Sequence, residues 1–308
     1  MPIYSNRGFN FAKLIMKNYV LLLASVGLLS CQQSSGLLAT IYSLPKSLKE
    51  VSGIVYSTDD SILWTLEDSG NANVLYGLNS KGMIAKTVTV KNIKNIDWED
   101  ITKDKEGNVY IGDFGNNENE RQDLCIYKID KKSLDNENVI PVYKVSFSYP
   151  EQKKFPPKKK ELFYDVESFF EFKNNFYLFT KNRSKGFDGT VFIYKIPNRA
   201  GMHKAELIED FKICDDYDNC AITSAAISPD QTKVVLLSHS KIWLFENFSS
   251  DDFLAGIRTE TELQHYSQKE AICFKDNTTL MIADEKVKKT GGKLYEITIN
   301  KLKLKSKP

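Results

Sequence analysis

Histidine and cysteine are scarce in this chain, three and five among 308 residues, and their spacing argues against several chemistries at once. No CxxC pair stands with a matching His arrangement, which speaks against a structural zinc site. No GxSxG elbow, HExxH helix or phosphate-cradling glycine loop occurs, so nucleophilic hydrolysis, zinc proteolysis and nucleotide binding lack their usual frameworks. An excess of one charge is missing too: 42 basic against 40 acidic side chains leave +2, too weak a field to single out nucleic acid as a partner. No strong amphipathic helix is visible. The apolar run YVLLLASVGLLS, Tyr19 to Ser30, is too short to span a bilayer as a helix.

What is present is ordinary globular composition, 42% hydrophobic and 27% charged, with 15 Tyr and 18 Phe that favour β-structure. The N-terminus reads as an address. Arg7, Lys13 and Lys17 precede the apolar run, as in a signal peptide. Leu28-Leu29-Ser30-Cys31 then resembles the lipobox of bacterial lipoproteins, in which Cys31 would become the lipidated first residue. Met16 opens a more typical signal and is an alternative start. The expected organisation is a signal peptide over 1–30, a short linker over 31–36 and a single domain over 37–308. The expected location is the bacterial cell envelope, periplasmic or surface-exposed, with the membrane reached through the anchor at Cys31.

Export permits disulfides. Cys125 and Cys273 fall within predicted strands and read as buried apolar residues, whereas Cys214 and Cys220 bracket the loop CDDYDNC and could close it. Spacing alone does not choose among the pairings.

The mature chain is self-similar. Five strand openings align at Ser52-Gly53-Ile54, Glu99-Asp100-Ile101, Glu167-Ser168-Phe169, Ala225-Ala226-Ile227 and Glu270-Ala271-Ile272. Each precedes a second β-rich run, then a third with an aromatic at Tyr76, Tyr127, Tyr194, Phe245 or Tyr295. In the last four units an interval of fourteen residues links the opening to a polar residue: Glu99 to Asp113, Glu167 to Lys181, Ala225 to His239, Glu270 to Asp284. Four-stranded units of this length predict an all-β propeller of five blades. The fifth unit runs short of a fourth strand, and Leu37 to Leu44 is predicted to supply it and close the ring. Six blades are the alternative if the interval from Tyr127 to Glu167 hides a degenerate unit; a two-domain β-sandwich competes with both.

In such a blade the start of the first strand and the end of the second lie on one face of the disc. That face collects Glu99, Glu167 and Glu270 as candidate metal ligands. Asp68, Asp97, Asp113, Asp165, Lys181, His239 and Asp284 join them as a candidate ligand-binding surface. Carboxylates so crowded need raised pKa values, a cation, or backbone N–H donors from the adjacent blade. An all-oxygen supply favours Ca2+. His239 is the candidate acid–base group. Variable loops open on the same face, where binding is expected.

The openings VSGI, DWEDI, DVES and KEAI, followed by YIGDFGNN or MIADEK and then LYGL, IYKI or LYEI, resemble the secreted SdiA-regulated and phytase-like (esterase-like) propeller families. More distantly they are similar to calcium-dependent lactonase propellers. The resemblance implies a propeller with Ca2+ at its axis; the lack of an acid at Ala225 and Ser52 departs from a full acidic ring. Two functions stand side by side. One is an envelope binding module for a small molecule, glycan or protein. The other is a Ca2+-dependent hydrolase of esters, lactones or phosphoesters.

Overall fold

The computed structural model describes residues 1–3 and 36–305. The expected signal segment and Cys31 lie outside the described residues. Met1–Ser35 and Gly36–Pro308 are separate units, and the second is the propeller.

Five sheets form five blades. Blade one is built from Val51–Ser57, Ile62–Glu67, Val74–Leu78 and Ile84–Val90. Blade two is Trp98–Lys103, Val109–Asp113, Cys125–Ile129 and Tyr143–Ser148. Val166–Phe172, Asn175–Thr180, Thr190–Pro197 and Glu206–Lys212 make blade three. Ser224–Ile227, Lys233–Leu237, Lys241–Glu246 and Ile257–Glu262 make blade four. Blade five takes Lys269–Phe274, Thr279–Val287 and Thr290–Thr298 from the C-terminal end of the chain, and Ala39–Ser43 from its N-terminal end as the outer strand. That antiparallel pairing closes the ring.

The interval between Tyr127 and Glu167 contains no sixth blade. It supplies blade two's outer strand and a short strand, Asn138–Val139, that pairs in parallel with the outer edge of blade one. Gly201–Lys204 covers the edge of blade two in the same way. Both additions occupy backbone groups that an open edge would leave free to pair with another chain. Blade four's edge is approached by the helix Ile299–Lys305, where Thr261 donates to the carbonyl of buried Leu302 at 3.0 Å. Lys286 to Gly292 is the tip of a long hairpin in which Lys286 faces Gly291 and Val287 faces Thr290.

The core lies between blades. Trp64, Trp98 and Ile111 pack at the junction of blades one and two, and Phe169, Phe176 and Tyr194 join Phe114 and Phe147 of blade two. The third-strand aromatics Tyr127, Tyr194, Phe245 and Tyr295 are all buried. Each blade is apolar on both faces because each is covered twice, which is why its strands read as nearly continuous hydrophobic runs.

Candidate functional site

The inner strands are not regular where they start. The pairing register skips one residue at Ser52 in blade one, Glu99 in blade two, Glu167 in blade three and Glu270 in blade five. A bulge of this kind leaves one residue unpaired and re-aims its side chain. In blade four the regular pairing of Ser224 with Leu237 puts Thr223, not Ala225, at the equivalent place. These five residues line a cavity of about 130 Å³ on the axis.

The next residue on each strand ties the blades together. Asp100 accepts from the Phe169 amide of blade three at 3.2 Å and from Ile101 at 2.8 Å, and Ser224 accepts from the Ile272 amide of blade five at 3.1 Å. Gly53 holds this position in blade one because there is no room for more: a Cβ would stand 2.7 Å from the Ile101 nitrogen. At the bulges themselves the two hydroxyls also bridge blades, Ser52 donating to the Trp98 carbonyl at 2.7 Å and Thr223 to Lys269 at 2.6 Å. A carboxylate cannot donate to a carbonyl, so Glu99, Glu167 and Glu270 are left to the cavity.

The second strands end in pairs whose members face opposite ways, as strand alternation requires. Glu67, Asp113, Thr180, Ser238 and Asp284 are the first members, and they hold their surroundings together. Glu67 accepts from Lys49 N at 2.8 Å, Asp113 from Asp97 N at 3.2 Å and Arg121 at 2.9 Å, and Asp284 from Lys293 N at 2.8 Å and the Tyr295 hydroxyl at 2.9 Å. The second members turn to the axis: Asp68, Lys181 and Glu285 line the cavity, and His239 sits with its Nε2 2.8 Å from Glu270. In blade two this place is taken by Phe114, which packs in the core. Asp113 and Asp284 therefore stand outside the cavity. The hairpins differ in length from blade to blade, so one fixed interval picks first members in some units and second members in others.

Asp97 and Asp165, expected on this face, complete two groups of carboxylates. Asp68, Asp97 and Glu99 can bring one oxygen each within 4.8 Å of one another, as can Glu99, Asp165 and Glu167. Glu99 belongs to both. Gly115 is the contact that admits them, since any Cβ there would collide with the carboxylates of Glu99 and Asp97.

Charge is divided unevenly. Glu167 is met by Lys181 at 3.2 Å and by Arg183, which also binds Asp165 at 2.6 Å and donates to the Tyr217 hydroxyl at 2.7 Å. Burial works to raise Glu167, but these two cations outweigh it and hold the carboxyl down at about 2. Asp165, buried and beside ionised Glu167, is pushed up to about 7 despite Arg183. Burial, then the neighbouring acids, raise Asp68 to about 7 and Glu285 to about 8. Asp97 is raised as well, chiefly by burial. Glu99 is affected most severely: it is 6% exposed, and burial together with Glu167, Asp68, Asp165 and Asp97 drives it well above the usual carboxylate range. Among the described residues no basic side chain or hydrogen-bond donor engages its carboxylate.

Cys214 and Cys220 form a disulfide around the short helix Tyr217–Cys220. That clasp presents Tyr217 to Arg183, and Ser238 and Ser240 donate to the Asn219 carbonyl behind it. Cys125 and Cys273 are free and buried. Arg183, Glu285, Ser52 and Thr223 were not singled out as site residues from sequence; the one signal for Glu285 was the acid doublet Asp284-Glu285.

No protein-family model matches the chain, and no curated protein does. Among solved structures, the PQQ-bound form of an aldose sugar dehydrogenase from Streptomyces coelicolor is similar, with a TM-score of 0.50 and 10% identity, covering 86% of this chain and 98% of that one. The likeness shows the fold alone.

Proposed function

We propose that this propeller is a binding module of the bacterial cell envelope, anchored through Cys31, whose acidic mouth holds a hard cation. With Lys181 and Arg183, that cation grips the polar end of a small molecule, glycan or protein. The envelope address rests on the N-terminal sequence. The cation rests on one observation, the buried carboxylate of Glu99 with no donor, shared by two groups of acids. Asp68 and Asp97 flank it on one side and Asp165 on the other, an oxygen-only supply that suits Ca2+ better than a softer metal. A bound Ca2+ would supply positive charge to the acids and open coordination positions to a ligand oxygen. The cavity is smaller than the ~300–1,000 Å³ of ordinary small-molecule sites, which favours insertion of one polar group from a larger molecule. The PQQ and aldose of the Streptomyces enzyme are not carried over.

The test is calorimetric titration of Ca2+ into the purified protein and its Glu99→Gln and Glu270→Gln variants. Saturable binding in the parent, lost in Glu99→Gln, supports the reading; no binding in the parent refutes it.

A second reading, metal-assisted hydrolysis of an ester, lactone or phosphoester, is favoured by His239. Glu270 lies 2.8 Å from its Nε2, and the Tyr266 hydroxyl 3.4 Å from its Nδ1. A carboxylate that orients an imidazole beside a cation-binding mouth suits proton removal from water. Ca2+-dependent turnover on an ester and phosphoester panel, abolished by His239→Ala, would put this reading first.

A further inference from the structure

The far ends of the same inner strands enclose a second and larger cavity, of about 450 Å³. It falls within the size range of small-molecule sites, and nothing argued for the acidic mouth bears on it. Most of its lining comes from blades one and two, and it reaches across the axis to blade four. Cross-strand register places Ala225 and Ala226 where blade one has Ile54 and Val55, blade two Ile101 and Thr102, and blade five Ile272 and Cys273. Two alanines among branched or larger side chains leave room on one side of the axis, and the lining mixes apolar side chains such as Ile54 and Ile101 with charged ones such as Lys103 and Glu171.

One half-buried lysine in this cavity has no ion pair. Lys103 is half-buried, and its Nζ donates to the Tyr56 carbonyl at 2.5 Å. Among the described residues no carboxylate lies within ion-pairing distance of it. Two other lysines of the lining are answered, Lys86 by Asp60 at 3.1 Å and Asp135 at 2.8 Å, and Lys131 by Asp59, while Lys105 is exposed to solvent. Burial lowers the pKa of Lys103, and the charge of Asp59, which is itself paired with Lys131, does not offset it. Glu171, on another wall, accepts from the Asn174 amide at 2.6 Å. With the rim carboxylates it opposes a second negative charge on any occupant.

We propose that this cavity binds an organic monoanion with an apolar body, its carboxylate on Lys103 and its body against Ile54, Ile101, Ala225 and Ala226. Such a ligand brings a counter-charge to Lys103 and fills the space beside the two alanines. The site is independent of the cation at the other end of the channel.

The test uses two ring compounds that differ in charge. 2-Naphthoate and 2-naphthol are titrated calorimetrically into the purified protein and into Lys103→Met and Ala226→Leu. The expected result is one saturable naphthoate site at least tenfold tighter than naphthol, a preference erased by Lys103→Met, and both ligands weakened at least tenfold by Ala226→Leu. Absence of saturable naphthoate binding overturns the proposal, as does a naphthoate preference that survives Lys103→Met. Should Ala226→Leu fail to fold, the Lys103→Met comparison decides alone.

Discussion

The two ends of the channel are made from the same five strands, yet one is a small acidic cavity and the other a larger funnel lined by apolar side chains and by charges of both signs. At the starts, four strands carry bulges that turn Ser52, Glu99, Glu167 and Glu270 to the axis. Toward the ends pairing is regular, and Ala225 and Ala226 leave room where other blades carry larger side chains. Adjacent residues make the same point at closer range. Glu99 and Asp100 are both buried acids, but Asp100 accepts two backbone amides and is an inter-blade tie, while Glu99 has no such partner. A one-residue irregularity in register therefore separates a structural carboxylate from one available to a ligand.

The largest effect that would sharpen this contrast is expected from Glu99→Gln. Removing the carboxylate shared by both acid groups should abolish saturable Ca2+ binding, because a side-chain amide does not replace an anionic ligand. Ala226→Leu, at the other end, should leave Ca2+ affinity unchanged; a parallel loss in both variants would show that the two cavities are not separate. Next comes the clasp. Serine at both Cys214 and Cys220 should lower stability by about 2.5 kcal/mol through the freed short loop. It should also weaken Ca2+ about threefold through Tyr217 and Arg183 without altering naphthoate binding. Asp100→Ala should cost about 2 kcal/mol in denaturant unfolding, because the amides of Ile101 and Phe169 lose their acceptor. Its Ca2+ affinity should stay within about twofold, the outcome that distinguishes a tie from a ligand.

Much of the fold was legible because a strand buried on both faces leaves a dense signature of Val, Ile, Phe and Tyr between turn residues, and five such units in sequence admit few architectures. The closing strand was legible from a deficit, the missing fourth strand of the last unit. Position within the site was less so. Constant spacing grouped Asp113 and Asp284 with Lys181 and His239, although the first two bond within their own surroundings and the last two turn toward the axis. The difference arises from the bulges and from unequal hairpins, neither of which leaves a residue-type signature. Thr223 was passed over for Ala225 for the same reason. Arg183 comes from a loop, where periodicity gives no orientation, and the importance of two alanines depends on what stands beside them in other blades.

The last contrast is one of pH dependence and concerns the funnel's own acid. Glu171 is 6% exposed, and burial, then Asp104 and Glu106, push its carboxyl up to about 7. A raised folded-state pKa means that the folded protein holds the proton more tightly than the unfolded chain, whose glutamate titrates near 4.3. Its contribution is therefore complete below about pH 4.3 and is lost as pH rises through about 7, so it makes the protein less stable toward neutral pH. Glu171→Gln keeps a neutral side chain of the same shape at every pH. Between pH 5 and 8 its melting temperature should fall less than that of the parent, by roughly 5 °C, the equivalent of about 2.5 kcal/mol. The carboxylates of the acidic mouth are unchanged between the two proteins, so the difference isolates the funnel. Identical slopes would mean that Glu171 is ionised in the folded protein across this range, and its part in excluding a second negative charge would then be stronger than its burial implies.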